Sequence, residues 1–304
     1  MLASFLAALF FALNATCASH NVRTHGVARA NFGRLLVATL VLAAFGHTLG
    51  HGFTSASTCW FLLSGVIGMG LGDLGVYGAL PLLGSRITVL MTQCLAAPLA
   101  ALGEWLWLGT TLTFAQILWG LLILLGVVIA ITPSKRSPPH VKVRPVGFLF
   151  GLLAAAGQGF GALVSRKGVL VASAAGESVH NLTFGLTAAY QRIAAGFVFV
   201  IVWYAVLRLL VQRAAKPPPP ATEGRFHGTF WIVANGLAGP VIAVSCYQWA
   251  LATTPSGIVL PIAATAPLLA IPIAMKFEGD HPPRRAILGG IVAVAGCIAL
   301  TIAK

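Results

Sequence analysis

Apolar residues in this chain come in long unbroken stretches, and polar residues gather between them. Ten such runs can be drawn, near residues 2–19, 27–45, 58–80, 86–103, 113–132, 145–164, 183–207, 228–250, 256–275 and 285–303. A helix needs roughly 20 mostly apolar residues to cross a hydrocarbon core of about 30 Å. The runs are continuous, whereas membrane-barrel strands alternate over about ten residues, so helices are predicted and a barrel is not. The pattern predicts an all-α membrane protein with ten transmembrane helices.

Composition agrees. Of the 304 residues, 58% are hydrophobic and only 8% are charged, against about a quarter charged in a soluble domain. The lipid bilayer is therefore the expected partner. The net charge of +13 sits at the ends of apolar runs, where no groove-binding surface could form, and nucleic acid is not an expected partner. The five cysteines show no CxxC or metal spacing and read as small packing residues. The first run lacks a basic leading segment and reads as a span, not as a cleaved signal.

The placement of charge carries orientation. Loops after the odd-numbered helices hold fourteen Lys and Arg, and the opposite side holds three, Arg166, Lys167 and Lys304. By the positive-inside rule both termini lie outside the cell. Arg34 and Arg192 remain within the membrane.

The halves on either side of "PSKRSPPHVKVRP" (133–145) resemble each other. "SGVIG" (64–68) corresponds to "NGLAG" (235–239), and both lead to an Ala-Leu pair, 79–80 and 250–251, at the same offset of 171. Gly120 and Gly126 correspond to Gly290 and Gly296, and Arg34 to Arg192. Five helices per copy is odd, so the second copy enters the membrane upside down, as in many secondary transporters. The fold expected is two inverted five-helix repeats, residues 1–132 and 145–304, joined by a basic linker at 133–144. A second low-complexity stretch, "AKPPPPATEGR" (215–225), reads as an extended loop.

Here the chain resembles a known family. The third predicted helix ends in aromatic-x-Ala-Leu, the fourth opens Gly84-Ser85-Arg86 and carries Pro98, and "WLGTTLTFAQILWG" follows. The second half repeats these features as "YQWAL", Pro255-Ser256-Gly257, Pro267 and "GDHPPRRAILGG". Together they resemble EamA-type members of the drug/metabolite transporter superfamily. The resemblance implies a multi-pass cell-membrane protein that moves a small metabolite, such as an amino acid or related compound, by alternating access. It also implies both termini in the cytoplasm, opposite to the charge bias. Thr110 stands where the family often has a glutamate.

Several polar residues fall within apolar runs. Gly68, Gly72 and Gly75 form a small-residue ridge, with Asp73 and Tyr77 sharing a face beside it. A carboxylate there faces a water-filled cavity or an ion partner. In the first case it is a candidate for proton coupling; in the second it ties helices together. Gln93, Asn14 and Gln158 carry mid-membrane amides that either line a cavity or bond between helices. Arg192 is the deepest basic group and offers a grip on a substrate anion, or else a scaffold tie. Gly239-Pro240 breaks the eighth helix, and Pro261, Pro267 and Pro272 break the ninth; Tyr247 and Gln248 follow the first break. Interrupted helices in a repeat protein point to a central site. Arg86 and Glu104, near opposite ends of the fourth helix, read as interface residues snorkelling to water. No HExxH, GxSxG or nucleotide-binding loop appears, so no metal, cofactor, catalytic residue or ATP-driven step is expected. The competing class is a membrane enzyme or a non-transporting receptor on the same fold.

Overall fold

The computed structural model describes residues 2–132, 143–211, 225–266, 268–269 and 284–302. The linker 133–142 and most of the proline-rich loop lie outside the described residues, as do Pro267 and Pro272.

The first two predicted spans form one helical element, α1 (Leu2–Thr48), bent at Gly26. Gly26 adopts φ 74° and ψ 162°, a region essentially restricted to glycine. Asn21 spans the bend: its Nδ2 donates to the Ala30 carbonyl at 3.4 Å, and its Oδ1 lies 3.1 Å from His25 Nδ1. The third and fourth predicted spans also merge. α2 (Thr58–Gly65), a π-helical turn (Val66–Gly72), α3 (Asp73–Gly103) and a second π-helical turn (Glu104–Leu108) follow one another without leaving helical geometry. The expected break at Gly84-Ser85-Arg86 is absent, because glycine and serine weaken a helix without removing a backbone donor. Gly109 ends this rod in the left-handed region, φ 68°, as a helix C-terminus commonly requires.

α4 (Phe114–Ile131) starts from a capping box. Thr113 Oγ1 accepts from the Gln116 N–H at 3.2 Å, and Gln116 Oε1 accepts from the Thr113 N–H at 3.0 Å. α5 (Val146–Ala174), α6 (Leu182–Val211) and α7 (Arg225–Gly236) follow. A third π-helical turn (Leu237–Ala243) contains Pro240 and joins α7 to α8 (Val244–Thr253). The break expected at Gly239-Pro240 is thus a widening of the helix that keeps the chain helical. α9 (Ser256–Ala263) and α10 (Arg284–Ile302) complete the described elements.

Among the described residues, five helices are long and apolar enough to cross a membrane: Ala28–Thr48, Thr58–Val76, Val146–Ala174, Leu182–Val206 and Gly228–Thr253. Leu2–Ala18, Phe114–Ala130 and Ile287–Leu300 are shorter apolar helices. Their outward faces carry exposed Leu121, Leu149 and Ile291, a cost in water and none in lipid.

Glycines set how closely the helices approach. The ridge Gly68–Gly72–Gly75 lies against α5, where Gly157 and Gly161 face it. A Cβ at Gly157 would stand 2.7 Å from the Gly72 nitrogen and 2.9 Å from the Ile67 carbonyl oxygen. Both obstacles are backbone, so no rotamer change can relieve them. Gly126 and Gly289 bring α4 and α10 together in the same way. Gly157→Ala should therefore lower stability by about 1–3 kcal/mol, seen as a reduced melting temperature of the purified protein, while Gly290→Ala on α10, where an added Cβ would meet nothing within 4 Å, provides the comparison.

Candidate functional site

The π-helical turn Val66–Gly72 and its relative Leu237–Ala243 place two glycines against the interior polar residues. Gly68 abuts the Arg192 guanidinium: a Cβ there would lie 2.7 Å from Nη2. Gly239 abuts the Asn14 amide, with Nδ2 2.9 Å from the equivalent point. A π turn is a recurrent feature of functional sites, because the displaced backbone opens room beside the helix.

Arg192 is 2% exposed and Gln248 is fully buried. Among the described residues, Arg192 Nε and Nη1, Asn14 Oδ1, Tyr247 Oη and both amide atoms of Gln248 are buried without a hydrogen-bond partner. Tyr247 and Asp73 are the ionisable groups close enough to act electrostatically on Arg192. Phe11 packs edge-on to Tyr247 with ring centroids 6.1 Å apart, which brings the first half of α1 to the same place as Asn14. Arg192, Tyr247 and Asn14 thus gather between α1, α6, α8 and the two glycine-bearing turns, with Gln248 next in the chain. Buried polar atoms are nearly always bonded, so this concentration of unmet donors and acceptors marks the place where a polar ligand would gain most.

The other candidates are placed differently. Asp73 accepts from Arg34 Nη2 at 2.5 Å, and the two side chains are 18% and 13% exposed. Arg34 Nε also donates to Asn31 Oδ1 at 2.9 Å. The carboxylate in helix 3 is therefore one half of a helix-tying ion pair with Arg34. Gln158 is half-buried, and its backbone lies beside Gly72. Gln93 is half-buried on α3 and joins none of the contacts above. The side chains of Tyr77 and Arg86 lie outside the described residues.

Glu104 requires a correction. It does not snorkel to water but is 2% exposed. Its Oε1 accepts from Arg166 Nε at 2.8 Å, and its Oε2 accepts from the Ser256 N–H at 2.8 Å and the Ser256 hydroxyl at 2.7 Å. Arg166 Nη1 also donates to the Leu251 carbonyl. One carboxylate thus clasps α3, α5 and the turn between α8 and α9. Sequence position gave its depth along the helix, but the partners lie 62 and 152 residues away. His47 meets the Tyr190 hydroxyl through Nε2 at 3.1 Å. Among the described residues no group of His, Cys, Asp or Glu could hold a metal ion.

Two buried amides escaped the sequence reading. Gln191 Nε2 donates to the Gly52 carbonyl at 2.7 Å, fixing the loop after α1. Asn235 is 1% exposed and its Oδ1 has no partner among the described residues. The signal for Asn235 was present: it opens the "NGLAG" repeat motif. At the corresponding place in "SGVIG", Ser64 donates to the Gly161 carbonyl at 2.5 Å and meets Ser165 Oγ at 2.8 Å.

A cavity of about 380 Å³ lies apart from the polar cluster, between α3, α4 and α9. Ala97, Ala101, Gly120 and Gly257 form its floor, and Leu102, Trp105 and Leu121 stand at its exposed rim. It is nearly all apolar and holds none of the unmet polar atoms.

Fold and interior define a polytopic helical membrane protein that keeps a polar cluster within its helices. The sequence profile of the EamA-like transporter family matches residues 1–132 and 145–302. The chain belongs to that family, a group of membrane transporters of the drug/metabolite type. Among curated proteins no sequence matches significantly. A solved structure described only as "Crystal structure of protein" superposes with a TM-score of 0.73 at 18% identity, covering 99% of this chain and 96% of its own; at that identity the likeness is one of fold.

Removing the Glu104 carboxylate should leave Arg166 uncompensated and cost about 3–5 kcal/mol. Thermal unfolding of purified Glu104→Ala and Glu104→Gln checks this, with the glutamine variant, which keeps an acceptor for Ser256, losing less.

Proposed function

We propose that the protein is a secondary transporter that moves a small polar or amphipathic metabolite across a cell membrane by alternating access. Residues 1–132 and 145–304 form two five-helix repeats inserted in opposite senses, ten spans in all. The cargo sits between them, lined by Asn14, Tyr247, Gln248 and Arg192, with Tyr77, Gln93 and Gln158 further along the walls. Asp73 would couple movement to protons only when a change of state releases it from Arg34, so that its carboxyl can take up a proton.

The observation that carries the reading is the set of buried, unmet polar atoms on Asn14, Tyr247, Gln248 and Arg192. In a membrane interior such atoms are costly and mark pathways for polar cargo. Correspondences between the halves support the two-copy plan. The π turns begin at Val66 and Leu237 and end at Gly72 and Ala243, a constant offset of 171. Gly65 packs against the Arg192 carbonyl and Gly236, 171 residues later, against the Arg34 carbonyl. Each copy's arginine helix therefore crosses the other copy's glycine-rich helix at an equivalent point.

Counterflow in proteoliposomes tests the proposal: a metabolite that raises the melting temperature of the purified protein should exchange across the vesicle wall. Tyr247→Phe and Gln248→Ala should each slow that exchange about tenfold, the cost of one hydrogen bond to a charged or polar cargo. Binding without exchange would make the protein a receptor. Orientation follows the charge bias, so a tag on the N-terminus should be accessible on intact cells.

A further inference from the structure

The two copies differ in charge at one decisive position. Arg34 in the first copy has Asp73 for a partner at 2.5 Å. Arg192 is its counterpart in the second copy, and the residue 171 positions beyond Asp73 is Val244. Val244 is 3% exposed and packs in the same apolar cluster as Ile193, the neighbour of Arg192. The valine thus removes the internal carboxylate from the second copy and leaves its arginine in place.

Among the described residues no carboxylate is bonded to Arg192, and Asp73, which acts on it electrostatically, is held by Arg34. Glu104 is committed to Arg166 at 2.8 Å and Asp73 to Arg34. Arg192 is as deeply buried as Glu104, yet its Nε and Nη1 donate to no acceptor among the described residues. A buried guanidinium without a counter-charge is among the more expensive groups a fold can hold. Tyr247, which acts electrostatically on Arg192, is neutral, as are Asn14 and Gln248; they can orient a ligand but cannot balance a charge.

We infer that the cargo is a monoanion whose carboxylate docks on Arg192 and supplies the negative charge that Val244 has displaced from the second copy. One unmatched positive charge calls for one negative charge, which favours a carboxylate over a doubly charged phosphate. A guanidinium holds a carboxylate through two parallel N–H bonds. The Tyr247 hydroxyl and the Asn14 and Gln248 amides lie where they can bond the rest of the molecule. This inference rests on the transporter reading for its site, but its test is separable.

The test measures the melting temperature of the full-length protein in lipid nanodiscs. The ligands are monocarboxylates of net charge −1, including straight-chain, α-hydroxy and aromatic acids, each paired with its primary amide, with inorganic phosphate as a further arm. Some acid should stabilise the protein while its amide and phosphate do not. Arg192→Gln should abolish that response, and Arg192→Lys should weaken affinity about thirtyfold or more, the cost of degrading a buried charge pair. Val244→Asp should suppress the response by supplying an internal carboxylate, with the unliganded protein still folded. An amide as effective as its acid, a response to phosphate alone, an undiminished response in Arg192→Gln, or silence from every acid would each overturn the inference. Counterflow of a neutral cargo would sink the anion but keep the transporter; carboxylate binding at Arg192 with no flux would do the reverse.

Discussion

Everything in this molecule follows from the rule that a polar group taken into hydrocarbon must find its partner inside the protein. The backbone obeys by staying helical, even where proline or a glycine-rich stretch would break a helix in water. At Pro240 the chain widens into a π turn and remains wound. At Gly26 it bends through one left-handed residue, with Asn21 bonded across the gap. Side chains obey by pairing: Arg34 with Asp73, and Arg166 with Glu104 and the Leu251 carbonyl. The exceptions are informative for the same reason. Among the described residues Asn14, Tyr247, Gln248 and Arg192 hold buried polar atoms without partners, as do Ser4, Thr39, Gln191, Asn235 and Arg285, and the first four are those on which the proposed cargo site rests.

The two kinds of close contact have separate tasks. Glycine-to-glycine crossings, as between Gly72 and Gly157, bring backbones together and set the distance between helices. The Glu104 clasp works at the end of the rod, tying α3 to α5 and to the start of α9 through charge-assisted bonds. Between these fixed points the π turns hold the helices open beside Arg192 and Asn14.

Much of this was legible in the sequence, and the limits have a physical cause. Apolar run length fixed the membrane class, and the small residues at Gly68, Gly72 and Gly75 announced a close helix contact that the structure places against α5. The burial of Tyr247 and Gln248 beyond a helix interruption could also be anticipated. What could not be read was direction around a helix and partnership across it. Glu104 sits at a helix end, where a snorkelling residue and a buried clasp look alike until Arg166 and Ser256 are known to stand opposite. Gly84-Ser85-Arg86 looked like a boundary because glycine and serine are weak helix formers, yet packing against α5 carries the helix through.

The π turns bear on helical phase. An i→i+5 bond encloses one residue more than the i→i+4 bond of an α-helix. Side chains beyond such a turn are therefore rotated from where a regular wheel would put them. Asp73 immediately follows the first of these turns, and Val244 the last. Shortening either stretch by a single residue would rewind it to α-helix and swing the whole following face, Asp73 away from Arg34 after the first turn and Tyr247 away from Arg192 after the last. The spare residue in each turn is what aims the interior.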